Sequence, residues 1–178
     1  MNRALPLLLL AAALGAPAAA QTGDKPMAEA AFDVKPPKGW KLERRGPTAV
    51  MTGPKAEGLA AQISVRFVRS DHELYGTPEA YMKRLTKPSS IPLEGWTTGT
   101  VEQTKVAGLK ALKLERDTTD SSDPHSMDAK MVAVREEHLA AAAKGGFYLL
   151  VYTAPRSIDD KQRKVFRRLV EKGFKPRS

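Results

Sequence analysis

No cysteine occurs among the 178 residues. That excludes disulfides, thiolate metal sites, a cysteine nucleophile and a lipid anchor carried on cysteine. Histidine is nearly as scarce. Of the three present, His72, His125 and His138, none has a second histidine at helix or hairpin spacing, so the His-Glu-x-x-His type of zinc signature is missing. Each reads as an exposed loop or strand-end residue. No Gly-x-Ser-x-Gly elbow is found, and Lys144-Gly145-Gly146 lacks the spacing of a phosphate loop. Two acidic pairs exist, Glu136-Glu137 and Asp159-Asp160. Adjacent residues in a strand point to opposite faces, and the second pair suits the dipole at a helix start. No catalytic residue and no cofactor is expected. Acids are also in deficit, 20 against 29 lysines and arginines, for a formal charge of +9. Such a balance suits anionic partners, and it also serves simply to keep a small protein soluble. Aromatics make up 6% and are not interleaved with the basic charge, and this disfavours nucleic acid as a partner.

The chain's long apolar run is confined to its start. Residues 1–20 read as a signal peptide, with Arg3 as a weak basic region, an apolar stretch over 5–14, and Ala18-Ala19-Ala20 as the cleavage site. The apolar stretch falls short of the about 20 residues a membrane span needs. The expected location is therefore periplasmic or secreted, without a lipid anchor and without a transmembrane segment once the signal is removed. Residues 21–31 are small and polar and read as a flexible leader. Residues 32–178 then form a single domain, long enough for a core of its own.

Within that domain the organising stretch is 146–178. The run 147–152 is apolar or aromatic at every position, with Phe147, Leu149 and Val151 on one face and Tyr148, Leu150 and Tyr152 on the other. That predicts a central strand covered on both sides. A helix follows, with Ser157 as its N-cap, Asp159 and Asp160 in its first turn, and Gly173 as its C-terminal cap. Ile158, Gln162, Val165, Phe166, Leu169 and Val170 form its inner stripe, and Phe174 folds back beyond the glycine. Upstream, strands are predicted over 32–34, 41–45, 48–52 and 61–69, with turns at Gly46-Pro47 and Gly53-Pro54. Trp40, after Pro36-Pro37 and Gly39, is a core anchor. Thr77-Pro78-Glu79 opens a helix of about three turns with Ala80, Tyr81 and Leu85 inward. The threonine-rich stretch 96–106 is an outer strand, 109–117 and 129–139 are further strands, 117–128 is a polar loop and 140–146 a linker.

This arrangement resembles the PsbP-like superfamily. The residues that carry the likeness are Phe32-x-Val34-x-Pro36-Pro37-x-Gly39-Trp40, the turn Val106-x-Gly108-x-x-Ala111, and the strand 147–152. Val165-Phe166-x-x-Leu169 and Phe174 complete them. The resemblance implies an α+β fold, an antiparallel β-sheet flanked by helices as an α/β/α sandwich. It also implies a role in binding other proteins rather than in catalysis, by analogy of fold alone. Two departures stand out: the anchoring cysteine of many bacterial members is missing, and no residue places the chain in a photosystem.

Two candidate sites remain. Lys161, Arg163, Lys164, Arg167, Arg168 and Lys172 decorate the last helix opposite its apolar stripe, the first five being the candidate docking residues. They suit an acidic protein partner, an anionic lipid surface, or no partner at all, as the solvated side of a packed helix. The acids Asp117, Asp120, Asp123 and Asp128, with His125, offer oxygen and imidazole ligands to a metal-assisted hydrolase. Their spacing departs from a calcium loop and equally fits a hairpin tip. The expectation from sequence is an exported, non-catalytic binding or assembly factor of the bacterial envelope.

Overall fold

The computed structural model describes residues 31–88, 94–123, 126 and 128–177. The aromatic run predicted at the centre of the sheet lies there. It belongs to β9 (Gly146–Pro155), which pairs with β4 (Leu59–Arg69) on one side and β8 (Met131–Ala143) on the other. The full antiparallel order is β2 (Lys41–Arg45), β3 (Thr48–Ala56), β4, β9, β8, β7 (Leu109–Ser121) and β5 (Thr97–Thr98). Strand β6 (Glu102–Val106) also pairs with β7. A separate two-stranded ribbon joins β1 (Phe32–Val34) to β10 (Phe174–Pro176).

Alternation along β9 builds two cores. Tyr148, Leu150, Tyr152 and Ala154 face α2 (Asp159–Arg168), where Phe166, Leu169 and Val170 are buried with Ile63, Val65 and Met51. Phe147 and Leu149 face α1 (Pro78–Leu85), against Tyr81, Met82, Val68 and Leu114. One helix on each face of an antiparallel sheet is the expected α+β sandwich. Ring contacts run through the α2 face: Tyr152 stacks on Phe166 at 5.3 Å, and Tyr148 meets Phe174 edge-on at 5.4 Å. Trp40 is a core residue as expected, and a methyl group on Gly53 would lie 2.5 Å from its ring.

Several expectations are corrected. Gly53-Pro54 is not a turn but an irregularity inside β3, where the register shifts between Thr52 and Lys55. The turn lies further on, at Glu57 and Gly58, both at positive φ, 53° and 86°. Helix α1 is eight residues long and turns Met82 inward rather than Ala80, although Thr77 caps it as predicted, accepting from Ala80 N at 3.2 Å. The stretch 96–106 is broken into β5 and β6. Residues 140–143 are not a linker: Ala140 and Ala141 are fully buried in β8, paired between β7 and β9. Likewise β7 continues to Ser121, which takes Asp117 and Asp120 out of the predicted loop.

The ends of the last helix also differ. A 3₁₀ turn, Arg156–Ile158, precedes α2, and Ser157 makes no cap; its hydroxyl donates instead to the Glu57 carboxylate. After α2 the chain widens into a π-helical turn, Leu169–Gly173, and passes straight into β10. Gly173 is therefore not a left-handed cap. Its value is space, since a Cβ there would sit 3.2 Å from the Lys35 carbonyl oxygen. That carbonyl belongs to a residue whose own N–H donates to Gly173 O at 2.9 Å, and Arg177 N donates to Ala31 O at 2.9 Å, so both termini of the fold are tied together.

Candidate binding surface

Between α2 and the sheet lies a belt of charge set by strand register. Glu115 of β7 stands directly opposite Glu137 of β8, and Asp117 opposite Arg135. Two carboxylates facing each other on one side of a sheet repel, and the belt supplies cations to answer them. Lys113 Nζ reaches Glu115 at 2.8 Å; Arg135 bridges Glu115 at 3.2 Å and Asp117; Arg156 meets Asp117 at 2.9 Å. From the helix, Arg163 reaches Glu115 at 3.3 Å and pairs with Asp159 one turn back. Asp159 is itself buried and accepts from the Tyr152 hydroxyl at 3.1 Å. Burial pushes the Glu115 carboxyl up, but Lys113, Arg163 and Arg135 outweigh it and hold the group below its ordinary value. Glu137 goes the other way. Burial raises it above the ordinary value, with Arg167 and Lys113 opposing and Glu115 assisting. Arg167 Nη2 lies 3.6 Å from Glu137 Oε2, close enough for attraction but too far for a hydrogen bond.

The five basic residues predicted as a docking face thus divide. Arg163 is half-buried and committed inward, and Arg167 leans over the same belt at 3.6 Å and 3.9 Å from its acids. Lys161, Lys164 and Arg168 are exposed, and their side chains pair with no acid among the described residues. Lys172, of the same basic face, follows Arg168 by four residues, and the structure adds Lys35 and Lys38, which stand across a groove from both. The groove encloses about 420 Å³, with Pro36, Pro37, Val165, Leu169 and Gly173 completing its lining. Its far wall is fixed by the Lys35–Gly173 backbone bond and by Trp40 N donating to Pro37 O at 3.0 Å. A cue was available in the sequence: Lys35-Pro36-Pro37-Lys38 places two cations beside a stiff apolar pair.

On the opposite face His138 overturns its prediction. It is buried in mid-strand, not exposed at an end. Its Nε2 is 3.1 Å from Glu136 Oε2 and its Nδ1 2.8 Å from the Tyr81 hydroxyl. A ring carrying its proton on Nε2 satisfies both, donating to the carboxylate and accepting from the phenol. Glu136 also faces Arg116 at 3.6 Å and Thr118 at 3.5 Å, and Arg116 lies over the Trp96 ring. This chain of contacts pins α1 to the sheet. The cavity beside it, about 580 Å³ between α1 and the β6–β7 hairpin, is lined by Pro78, Leu112, Ala140 and Lys105 among others, and neither His138 nor Tyr81 opens into it.

The acidic candidates for a metal are not brought together. Asp117 is occupied by Arg135 and Arg156, and Asp120 Oδ1 accepts from Ser121 N at 2.8 Å. His125 lies outside the described residues. Among the described residues no group of three potential ligands is close enough to hold an ion. His72 stacks on Tyr75 at 4.3 Å, and its Nδ1 accepts from Leu74 N at 3.2 Å. No described helix is long and apolar enough to cross a membrane. The predicted signal peptide lies outside the described residues.

No family model matches the sequence, and no curated protein matches it. Solved structures do match. LpqN of Mycobacterium tuberculosis, described as involved in cell envelope biogenesis, superposes with a TM-score of 0.53 at 14% identity. The match covers 82% of this chain and 83% of LpqN. A structure from Bacteroides thetaiotaomicron gives a TM-score of 0.53 at 9% identity over 83% of this chain, which spans 46% of that longer one. Cyanobacterial PsbP from Synechocystis also appears among the neighbours, with a TM-score of 0.47 at 14% identity over 82% of this chain and 86% of that one. At such identities the likeness to LpqN and to the Bacteroides structure is one of fold alone.

Proposed function

We propose that this chain is an exported, non-catalytic binding or assembly factor of the bacterial envelope, periplasmic or secreted, that docks an acidic protein partner on the exposed side of α2. One observation carries the reading. The cations of α2 sort by position: Arg163 and Arg167 answer acids of the sheet, while Lys161, Lys164 and Arg168 face solvent with no acid to answer among the described residues. Exposed like charges held on a rigid helix repel one another, and an acidic partner relieves that repulsion while being steered to the surface. The likeness to LpqN supports an envelope setting by analogy of fold.

The test is cross-linking of the purified protein to envelope extract over a salt series. Capture of a specific band should fall as salt rises from about 50 mM to about 500 mM, where charges this exposed are screened. Lys161→Glu with Lys164→Glu should weaken it without changing the melting temperature. Capture indifferent to salt and to the double substitution would sink the docking face.

A further inference from the structure

Resting on the acidic-partner reading above, we propose that the groove between segment 35–38 and the end of α2 seats one segment of that partner, beside the face that Lys161 and Lys164 present to the rest of it. The groove receives an extended acidic segment with an apolar side chain on its floor. The charge is arranged for it. Lys35 and Lys38 stand on one wall and Arg168 and Lys172 on the other, all four exposed and none paired with an acid among the described residues. The floor between them is apolar, built from Pro36, Pro37, Val165 and Leu169. A free inorganic anion would use the cations and leave that floor wet, whereas an acidic peptide with an apolar residue uses both.

Geometry narrows the occupant further. Pro36 and Pro37 carry no N–H, so this wall cannot add a strand by backbone pairing, and side chains must hold the ligand. Residues four apart on a helix present side chains about 5–6 Å apart, and alternate residues of an extended peptide recur at about 6.6 Å. Acids at alternate positions therefore match the Arg168 and Lys172 pair, with intervening apolar residues free to reach the floor. The walls are tied together, because Gly173 lets segment 35–38 come close enough for Lys35 N to donate to Gly173 O at 2.9 Å. Little ordering cost falls on the protein when the groove is filled.

The probe is a fluorescein-labelled peptide of about eight residues alternating Asp and Leu, followed by anisotropy against the full domain. Binding should weaken with salt, and should fall about tenfold or more in Lys35→Glu with Lys38→Glu, and equally in Arg168→Glu with Lys172→Glu. Lys161→Glu with Lys164→Glu should leave it within about twofold. A peptide with Ser in place of Leu should bind about tenfold more weakly. All these positions on the protein are exposed, and unchanged melting temperatures would show that the variants fold. Equal loss in the Lys161 and Lys164 variant, or no loss with the serine peptide, would overturn the groove. So would groove-dependent sedimentation with vesicles of phosphatidylcholine and phosphatidylglycerol that the peptide fails to compete, since the site would then be a lipid one. If the peptide does not bind while extract capture persists, the groove falls and the partner reading stands; if both fail, both fall.

Discussion

Two carboxylates on adjacent strands, Glu115 and Glu137, respond to one neighbourhood in opposite ways, and pH separates them. Glu115 is held below its ordinary value of 4.5 in the folded state, so it stabilises the fold above that value and the contribution is lost as pH falls through the folded one. Glu137 is raised, so its effect is most favourable below 4.5 and declines as pH rises through the folded value. Glu137→Gln is therefore expected to match the parent near pH 4 and to be the more stable of the two near pH 8, whereas Glu115→Gln loses stability near neutrality. Urea unfolding across that range checks both signs. A second expectation concerns the opposite face. Tyr81→Phe leaves His138 Nδ1 buried without its donor and should cost about 1–3 kcal/mol, read from the urea midpoint. These details were not legible in the sequence. His138 was read as a strand end because the alanines after it look like a linker, and its partner Tyr81 lies 57 residues away. Its spacing from Val132 and Val134 was the available signal, since residues two apart share a face.

At the scale of elements, the periodic patterns proved readable and the long-range pairings did not. Both faces of β9 and the inner stripe of α2 follow from alternation and helical spacing, which are local properties. The caps expected at the two ends of α2 failed, where that at Thr77 held, because they depend on what the helix meets. Ser157 turns to Glu57 across the sheet edge, and Gly173 is needed for the approach of residue 35 rather than for its own dihedral angle. The groove was invisible for the same reason, since its walls come from segments more than a hundred residues apart. Phe166 measures how firmly α2 is held: fully buried and stacked on Tyr152, it should cost about 3–5 kcal/mol on replacement by Ala. Gly53→Ala tests the other margin of the sheet. Its new methyl collides with the Trp40 ring, which is backed by the core, so a loss of stability should come with a red shift in tryptophan emission.

For the whole molecule, the sandwich was foreseen and its closure was not. The ribbon of β1 with β10 is fastened by Arg177 to Asp33 at 2.6 Å and by the Tyr148 hydroxyl, which donates to the carbonyls of both Ala31 and Arg177 at 2.9 Å. Ending the chain after Gly173 removes Phe174 from beneath Phe32 and deprives β1 of its partner. That truncation should lower the melting temperature by more than any exposed substitution named above, and calorimetry would register it.

The position of β9 has a consequence for how the chain comes into being. The strand at the sheet's middle follows both of its flanks in chain order, and those flanks, β2 to β4 and β5 to β8, are joined edge to edge only when β9 is laid between them. Synthesis therefore delivers both flanks before the strand that joins them, and until then β4 and β8 each keep an unpaired edge. Such a delay keeps a nascent chain threadable for as long as synthesis lasts.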